Sequence, residues 1–182
     1  TTLAAALCDA LGPRAALLTH DRYYRSLPPG TAPSDWNFDH PDALETELMT
    51  QHVDAWRQRG AVMVPTYDFA GHCRNPDGEG LPVCEVLLIE GILVMSDAGL
   101  RDRMDHKLFV HTPDDIRLAR RIRRDIVERG RSVDTVLDQY LATVRPMHES
   151  FVVPSVAHAD LVLSGLRPIA DLVAEARVHL GL

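Results

Sequence analysis

The sequence predicts an α/β fold: a three-layer α/β/α domain built on a mostly parallel, doubly wound sheet with helices on both faces. Two observations predict it. Short apolar runs alternate with helix-length segments along the whole chain, and 182 residues, nearly half of them hydrophobic, suit one compact domain, residues 1–182, with a substantial core.

In order, residues 3–11 (LAAALCDAL) have helical composition and stop at Gly12-Pro13, and Ala15 to Thr19 is an apolar strand running into His20-Asp21. A second helix spans Asp42 to Arg59, preceded by His40-Pro41 and closed by Gly60, and Val62 to Val64 is the next strand. Residues 67–85 begin with a tract rich in Gly, Pro, Asn and Asp and read as a small hairpin or loop excursion away from the core. Function often sits on such excursions. Val86 to Ile89 is the clearest buried strand and ends in Glu90-Gly91, and a short helix around Asp97 to Met104 leads to a strand at Lys107 to Val110. Pro113 to Arg129 is a long helix with Leu118, Ile122 and Ile126 four apart on one face, stopped by Gly130. A helix from about Ser132 to Glu149, a strand from Asp160 to Leu163 and a helix from Pro168 to Leu180 complete the chain. Ligands of such sheets bind beyond the carboxyl ends of the strands, where Asp21 and Glu90 both stand.

Composition excludes several classes. No apolar run approaches the roughly 18 residues that cross a bilayer, and the first residues lack the pattern of an export signal. The expectation is a cytoplasmic protein with no membrane partner. Cys8, Cys73 and Cys84 are odd in number and lack metal-ligand spacing, so reduced thiols are expected. Net charge is −7, yet residues 117–131 hold seven arginines against Asp125 and Glu128, a local +5 that leaves −12 elsewhere. One compact basic cluster on an acidic chain fits a small polyphosphate better than nucleic acid, whose affinity rests on many phosphate contacts. Arg117, Arg120, Arg121 and Arg124 recur at helical spacing. They form either a solvated face or an anion site, and seven arginines to no lysine favour the second, because guanidinium forks match phosphate oxygens.

Other segments carry candidate chemistry. Thr1-Thr2 ahead of an Ala-rich helix is either a helix N-cap or the end of a phosphate-binding loop of the GxxxxGK[ST] type. Asp21 in THDRYYR is a turn-forming aspartate or a ligand-facing carboxylate. The WNFDHPD segment, residues 36–42, packs two aromatics and several polar groups ahead of a helix, with Asp39 or His40 open to a capping role. Tyr67, Phe69, His72 and Arg74 again set aromatics beside hydrogen-bonding groups. Five of the eight Tyr and Phe residues, at 23, 24, 38, 67 and 69, fall in expected loops, so a shared aromatic pocket able to stack on a base is the economical account. Glu90 is placed like an acid that supports magnesium in nucleotide-binding sheets, or is a structural strand-end carboxylate.

Taken together, DRYYR, NFDHPDA, YDF followed by His72, IEGILV, the ARRIRRD and ERGRS blocks and QYLATVRPMHESFVVP resemble the uridine kinase family in order over almost the whole chain. The resemblance implies a P-loop NTPase-like fold and transfer of the γ-phosphate of ATP, or GTP, to the 5′-hydroxyl of uridine or cytidine, with Mg²⁺, as in pyrimidine salvage. It implies Asp21 as general base and magnesium neighbour, Glu90 in the magnesium shell, and Thr1 as the magnesium-binding hydroxyl beside Thr2 at the phosphates. Asp39 with Arg121 would hold the ribose diol. Tyr67 and His72 would read the pyrimidine edge, Tyr24, Phe38 and Phe69 would wall the base, and Arg131 and Gln139 would close the pocket. Arg124 and Arg129 would act on the phosphates from a lid at about 117–131, and a homotetramer is implied. The family pattern opens with a strand and a complete Gly-rich loop, and here the match starts at the loop's Thr-Thr. The expectation is a partial sequence, poor ATP binding by these residues alone, and a gap in the middle of the sheet. Smaller departures are His20 and the short turn Leu163 to Leu166. The alternative expectation is a non-catalytic nucleoside-binding module.

Overall fold

The computed structural model describes residues 1–182. In chain order the elements are α1 (Thr2–Leu11), β1 (Ala15–Thr19), α2 (Thr46–Arg57), β2 (Val62–Val64), β3 (Tyr67–Asp68), β4 (Cys73–Arg74), β5 (Glu79–Leu81), β6 (Val86–Glu90), α3 (Ala98–Arg101), β7 (Leu108–His111), α4 (Asp114–Arg129), α5 (Val133–Gln139), α6 (Arg145–Met147), α7 (Val153–Ser155), β8 (Leu161–Ser164) and α8 (Ile169–Leu180).

Strand alternation sorts side chains into two cores, one on each face of the parallel strands. Ala16 and Leu18 of β1, Leu87 and Ile89 of β6 and Phe109 of β7 point to one face, where Met49 and Val53 of α2, Leu100 of α3 and Val152 cover them. Ala15, Val86, Leu88, Leu108, Leu161 and Leu163 point to the other, against Leu7 and Leu11 of α1 and Leu172 and Ala176 of α8. The expected three layers are therefore present. β1 pairs with β6 in parallel, Ala15 opposite Val86 through Thr19 opposite Glu90, and β7 pairs with β8 in parallel, Leu108 opposite Leu161 through His111 opposite Ser164.

No ladder joins β6 to β7. A cleft of about 1160 Å³ runs between them, lined by Leu88 and Ile89 of β6, Phe109 and Val110 of β7 and Leu3 and Leu7 of α1. Asp21 and Glu90 stand among its lining residues.

The excursion is a two-tier antiparallel ribbon. β2 pairs with β5 and β3 with β4, so residues 62–81 fold back on themselves. Arg74 pins its tip to the strand-end segment. It donates to the carbonyls of Tyr23 at 2.8 Å and Tyr24 at 3.0 Å, and pairs with Glu45 just ahead of α2.

Two helices differ from expectation. α2 starts at Thr46, four residues later than the composition suggests. Pro41–Ala43 forms a single tight turn capped by His40, and Leu44 is held extended by a bridge to Tyr24. The helix expected to end near Glu149 continues to Ser155 through π-helical turns at Tyr140–Val144 and His148–Val152. Pro146 and Pro154 explain them. Each proline ring crowds the carbonyl four residues back, Ala142 or Ser150, and widening the preceding turn absorbs the clash without breaking the helix.

The junction after β1 and β6 is tightly built. Gly91 has φ 155°, and a Cβ there would stand 2.6 Å from the Cβ of His20. His20, 2 % exposed, hydrogen-bonds through Nε2 to Thr46 Oγ1 at 3.0 Å. Gly91→Ala is expected to destabilise the fold by on the order of 1–3 kcal/mol, read as a lower urea midpoint. An unchanged midpoint would show that the turn relaxes freely.

Burial pushes the His20 imidazole down to about 4, against smaller upward pulls from Asp97 and Glu90. The unfolded chain therefore binds a proton that the folded one refuses between an unfolded value near 6.5 and about 4. The stability contributed by neutral His20 is complete above that window and is lost as pH falls through it. Urea midpoints at pH 7.5 and pH 5 should fall further apart in the parent than in His20→Gln, and an equal loss in both would refute this account.

Candidate active site

The parallel register of β1 and β6 places Thr19 beside Glu90, so the two acids that follow or end these strands share one sheet edge. Asp21 lies in the tight turn His20–Tyr23. Burial in its recess raises its carboxyl above the usual range, the Glu90 carboxylate raises it further, and the Arg129 guanidinium pulls it back. These charges thus converge on one point. Thr1 Oγ1 donates to Glu90 Oε2 at 2.9 Å, and the Thr1 nitrogen stands 3.1 Å from the same oxygen. The Thr1 hydroxyl therefore makes no N-cap bond, and Thr2 is the exposed first residue of α1.

Residues 36–42 show why those residue types occur together. Asn37 Oδ1 accepts from the Asp39 N–H at 3.1 Å, closing a small turn, and His40 Nδ1 accepts from the Asp42 N–H at 3.1 Å. His40 also packs edge-on against Phe151, with ring centroids 5.2 Å apart. With both ends of the turn held, Asp39 is aimed at the long helical run. Its Oδ2 accepts from Thr143 Oγ1 at 3.4 Å. Burial raises the Asp39 carboxyl, while the Arg121 charge and the Thr143 bond draw it down. The capping role thus belongs to His40, and Asp39 faces inward.

The aromatics form one chain. Phe38 stacks on His72 at 5.2 Å, Tyr24 meets Phe38 edge-on at 5.8 Å and Tyr67 at 5.7 Å, and Tyr67 meets Phe69 edge-on at 5.2 Å. Burial raises the Tyr24 hydroxyl, and the charges of Asp21 and Asp39 raise it further. His72 has φ 51°, rare for a residue with a Cβ. Its carbonyl accepts from Leu27 N–H at 2.8 Å, which holds the ring over Phe38. Tyr67 donates to the Arg25 carbonyl at 3.3 Å, and Phe69, 60 % exposed, forms the outer rim.

The arginine stripe divides. Arg117 and Arg120 donate to the carbonyls of Thr112 and Gly165, bracing the start of α4 and the turn after β8. Arg121, Arg124, Arg129 and Arg131 instead gather at the other end of α4 around Asp125, whose side chain is fully buried. Gly130, at φ 63°, ends the helix with its N–H on the Asp125 carbonyl, and the Arg131 N–H follows onto the same oxygen at 3.1 Å. Gln139 Oε1 accepts from Arg121 at 2.9 Å and from Arg131 at 2.7 Å. The buried Nε of Arg121 has no hydrogen-bond partner and faces Asp125 Oδ2 at 3.7 Å.

Sequence reasoning missed Thr143 and Asp125 as site-building residues, and it singled out Arg74 as a hydrogen-bonding group of the loop without foreseeing its bonds to Tyr23 and Tyr24. Thr143 gave no signal, because a π-helical turn brings it to Asp39. Asp125 gave one: it is four residues from both Arg121 and Arg129 in a run otherwise nearly all basic.

Residues 16–170 match the model of the phosphoribulokinase/uridine kinase family. The chain is 46 % identical over 187 aligned residues to a uridine kinase of Chloroflexus aurantiacus, covering all of this chain and 90 % of that protein. It is 40 % identical to a uridine kinase of Halobacterium salinarum, covering 98 % of this chain and 81 % of that one. Among solved structures, a phosphoribulokinase from Rhodobacter spheroides superposes with a TM-score of 0.68 at 17 % identity, over 90 % of this chain and 64 % of that one, and so shares the P-loop kinase fold. With an ordered match across nearly the whole chain and this architecture, the chain is a phosphotransferase and belongs to the phosphoribulokinase/uridine kinase family.

Proposed function

We propose that the protein phosphorylates pyrimidine nucleosides, uridine and cytidine, at the 5′-hydroxyl with a purine nucleoside triphosphate, ATP or GTP, as donor. The observation that carries this reading is the approach of the Arg121 guanidinium to the Asp39 carboxylate, close enough to draw its carboxyl down against burial, with Tyr24 feeling the charges of both Asp21 and Asp39. An acceptor-only carboxylate beside a donor-only guanidinium suits the 2′,3′-diol of ribose. Tyr24, Phe38 and Phe69 wall the base, Tyr67 and His72 meet its edge, and Arg131 and Gln139 close the pocket. No specific observation favours a non-catalytic binding module.

Asp21 accepts the proton of the 5′-hydroxyl as that oxygen attacks the γ-phosphorus. Such transfers ask little covalent work of the protein, and positioning and charge stabilisation dominate. Arg124 and Arg129, on a lid at 117–131, stabilise the phosphoryl charge and keep water out. The oxygens of Thr1, Asp21 and Glu90 are the hard donors that magnesium takes. No group of three or more His, Cys, Asp or Glu side chains forms a protein cage, which suits an ion held by one or two carboxylates and by phosphate. Magnesium, when bound, supplies charge neutralisation at the phosphates. Thr2 borders the phosphates through its place at the start of α1. No helix is long and apolar enough to cross a membrane, and the reading carries a cytoplasmic salvage role, a single domain and a homotetramer as its remaining parts.

The test is turnover of uridine, cytidine and their 2′-deoxy forms with Mg-ATP and Mg-GTP, read as nucleoside 5′-monophosphate. Asp21→Asn should lower kcat by about 10²–10⁴-fold and leave uridine affinity nearly unchanged, and parental turnover would remove Asp21 from the role of base. Asp39→Ala should weaken uridine binding by roughly 1–3 kcal/mol and erase discrimination against deoxyuridine; equal affinity in parent and variant would refute the diol assignment. Because Glu90 raises the Asp21 carboxyl, Glu90→Gln should move the acid limb of kcat/KM to lower pH. A limb that stays in place would separate Glu90 from the base.

A further inference from the structure

Asp125 is the one fully buried carboxylate, and its two oxygens divide the arginines without overlap. Oδ1 faces Arg124, with Nε at 2.9 Å and a terminal nitrogen at 2.8 Å, and Arg129 at 3.3 Å. Oδ2 faces Arg131 at 3.4 Å and Arg121 at 3.7 Å. Burial alone would raise this carboxyl, but the surrounding guanidinium groups hold it below the usual range, so it is ionised. One anion thus holds four cations, and those on Oδ1 are the phosphate arginines of the proposed reading while those on Oδ2 are the nucleoside arginines.

We propose that Asp125 is a positioning residue that couples the nucleoside half of the site to the phosphate half. The inference rests on the nucleoside kinase reading for what each pair of arginines binds. A carboxylate is planar and rigid, so turning it to suit the partners of Oδ2 carries Oδ1 with it. A nucleoside diol that draws in Arg121 fixes the plane of Asp125 and presents Arg124 and Arg129 in register for the triphosphate. By linkage, the triphosphate returns the same free energy to the nucleoside. The main chain stiffens this lever, because the Asp125 carbonyl takes both N–H groups that end α4, those of Gly130 and Arg131. Gln139 ties Arg121 to Arg131, so the nucleoside pair moves together.

Asparagine is the informative replacement. It keeps the shape, but one of its two terminal atoms becomes a donor facing a pair of donors, so only one half can remain satisfied. The experiment is calorimetric titration of the parent and Asp125→Asn with a non-hydrolysable Mg-ATP analogue, with and without saturating uridine, together with melting curves. In the parent, uridine should tighten the analogue by about tenfold. In Asp125→Asn the coupling should fall to about twofold or less, with uridine alone bound within about threefold of the parent. Parental coupling in the variant overturns the proposal. So does a loss of both affinities that merely follows the unfolded fraction.

Inorganic tripolyphosphate provides an arm independent of the nucleoside. A carboxylate that only offsets positive charge would, once removed, leave tripolyphosphate bound more tightly, whereas one that aims Arg124 and Arg129 would leave it bound more weakly. Weaker binding is expected, and unchanged or tighter binding overturns the proposal. Failure of the parent to bind any pyrimidine nucleoside overturns the functional reading instead, and this arm still decides the role of Asp125. Should Asp125→Asn not fold, Asp125→Glu keeps the charge but displaces the carboxylate. It should lower the coupling by at least about threefold, and full parental coupling in it counts against the proposal.

Discussion

The pairing of Thr19 with Glu90 is the constraint from which the chemistry of this protein follows. Two strands in parallel end at the same edge, so the residues just past them are brought side by side without any contact between loops. Asp21 and Glu90 acquire a shared electrostatic environment in this way, and Gly91 permits the close approach because no Cβ intervenes against His20. A one-residue slip of β1 against β6 would turn Leu18 to the opposite face and move Asp21 away from Glu90. The apolar alternation that builds the two cores therefore also sets the spacing of the Asp21 and Glu90 carboxylates.

The surroundings of Asp39 depend on a second kind of constraint, short polar bonds that fix backbone turns. Asn37 and His40 make the bonds that leave Asp39 free of them, and Arg74 ties the ribbon tip to the carbonyls of Tyr23 and Tyr24. Each anchor satisfies backbone groups that would otherwise be stranded near an apolar box. The aromatic rings are then positioned by the chain on either side of them. This explains a strained φ at His72, since the carbonyl of that residue is fixed to Leu27 while its ring stays over Phe38.

Periodicity made most of the strands and helices legible, because burial on alternate faces leaves a local signature: β1, β6 and β8 fall within a residue or two of the apolar runs that foretell them. Family resemblance, carried by ordered motifs such as NFDHPDA and IEGILV, directed attention to Asp21, Asp39 and Glu90. What stayed hidden was non-local. The late start of α2 follows from a bridge between Tyr24 and Leu44, the reach of Thr143 follows from π-helical turns ahead of Pro146, and the split of the arginine stripe follows from what each end of α4 packs against. Of these only the widened turn has a local signature, Pro146, and that proline does not say what Thr143 will reach. The role of Asp125 was half visible, as an acid at helical spacing from two arginines, but its burial was not.

The arginine cluster also accounts for the uneven charge of the chain. A net −7 chain concentrates +5 in residues 117–131, and four like charges at one helix end would repel strongly in a recess of low polarity. Asp125 reduces that repulsion from the centre, where its carboxylate is shielded from water and counterions, so its pairs are screened less than surface ones. Surface acids could not substitute, because exposed pairs are worth little and would occupy the faces that ligands must reach. Placing the compensating anion beneath the guanidinium groups leaves their outer edges unspent. The cluster can therefore stay positively charged on its exposed side and still be stable.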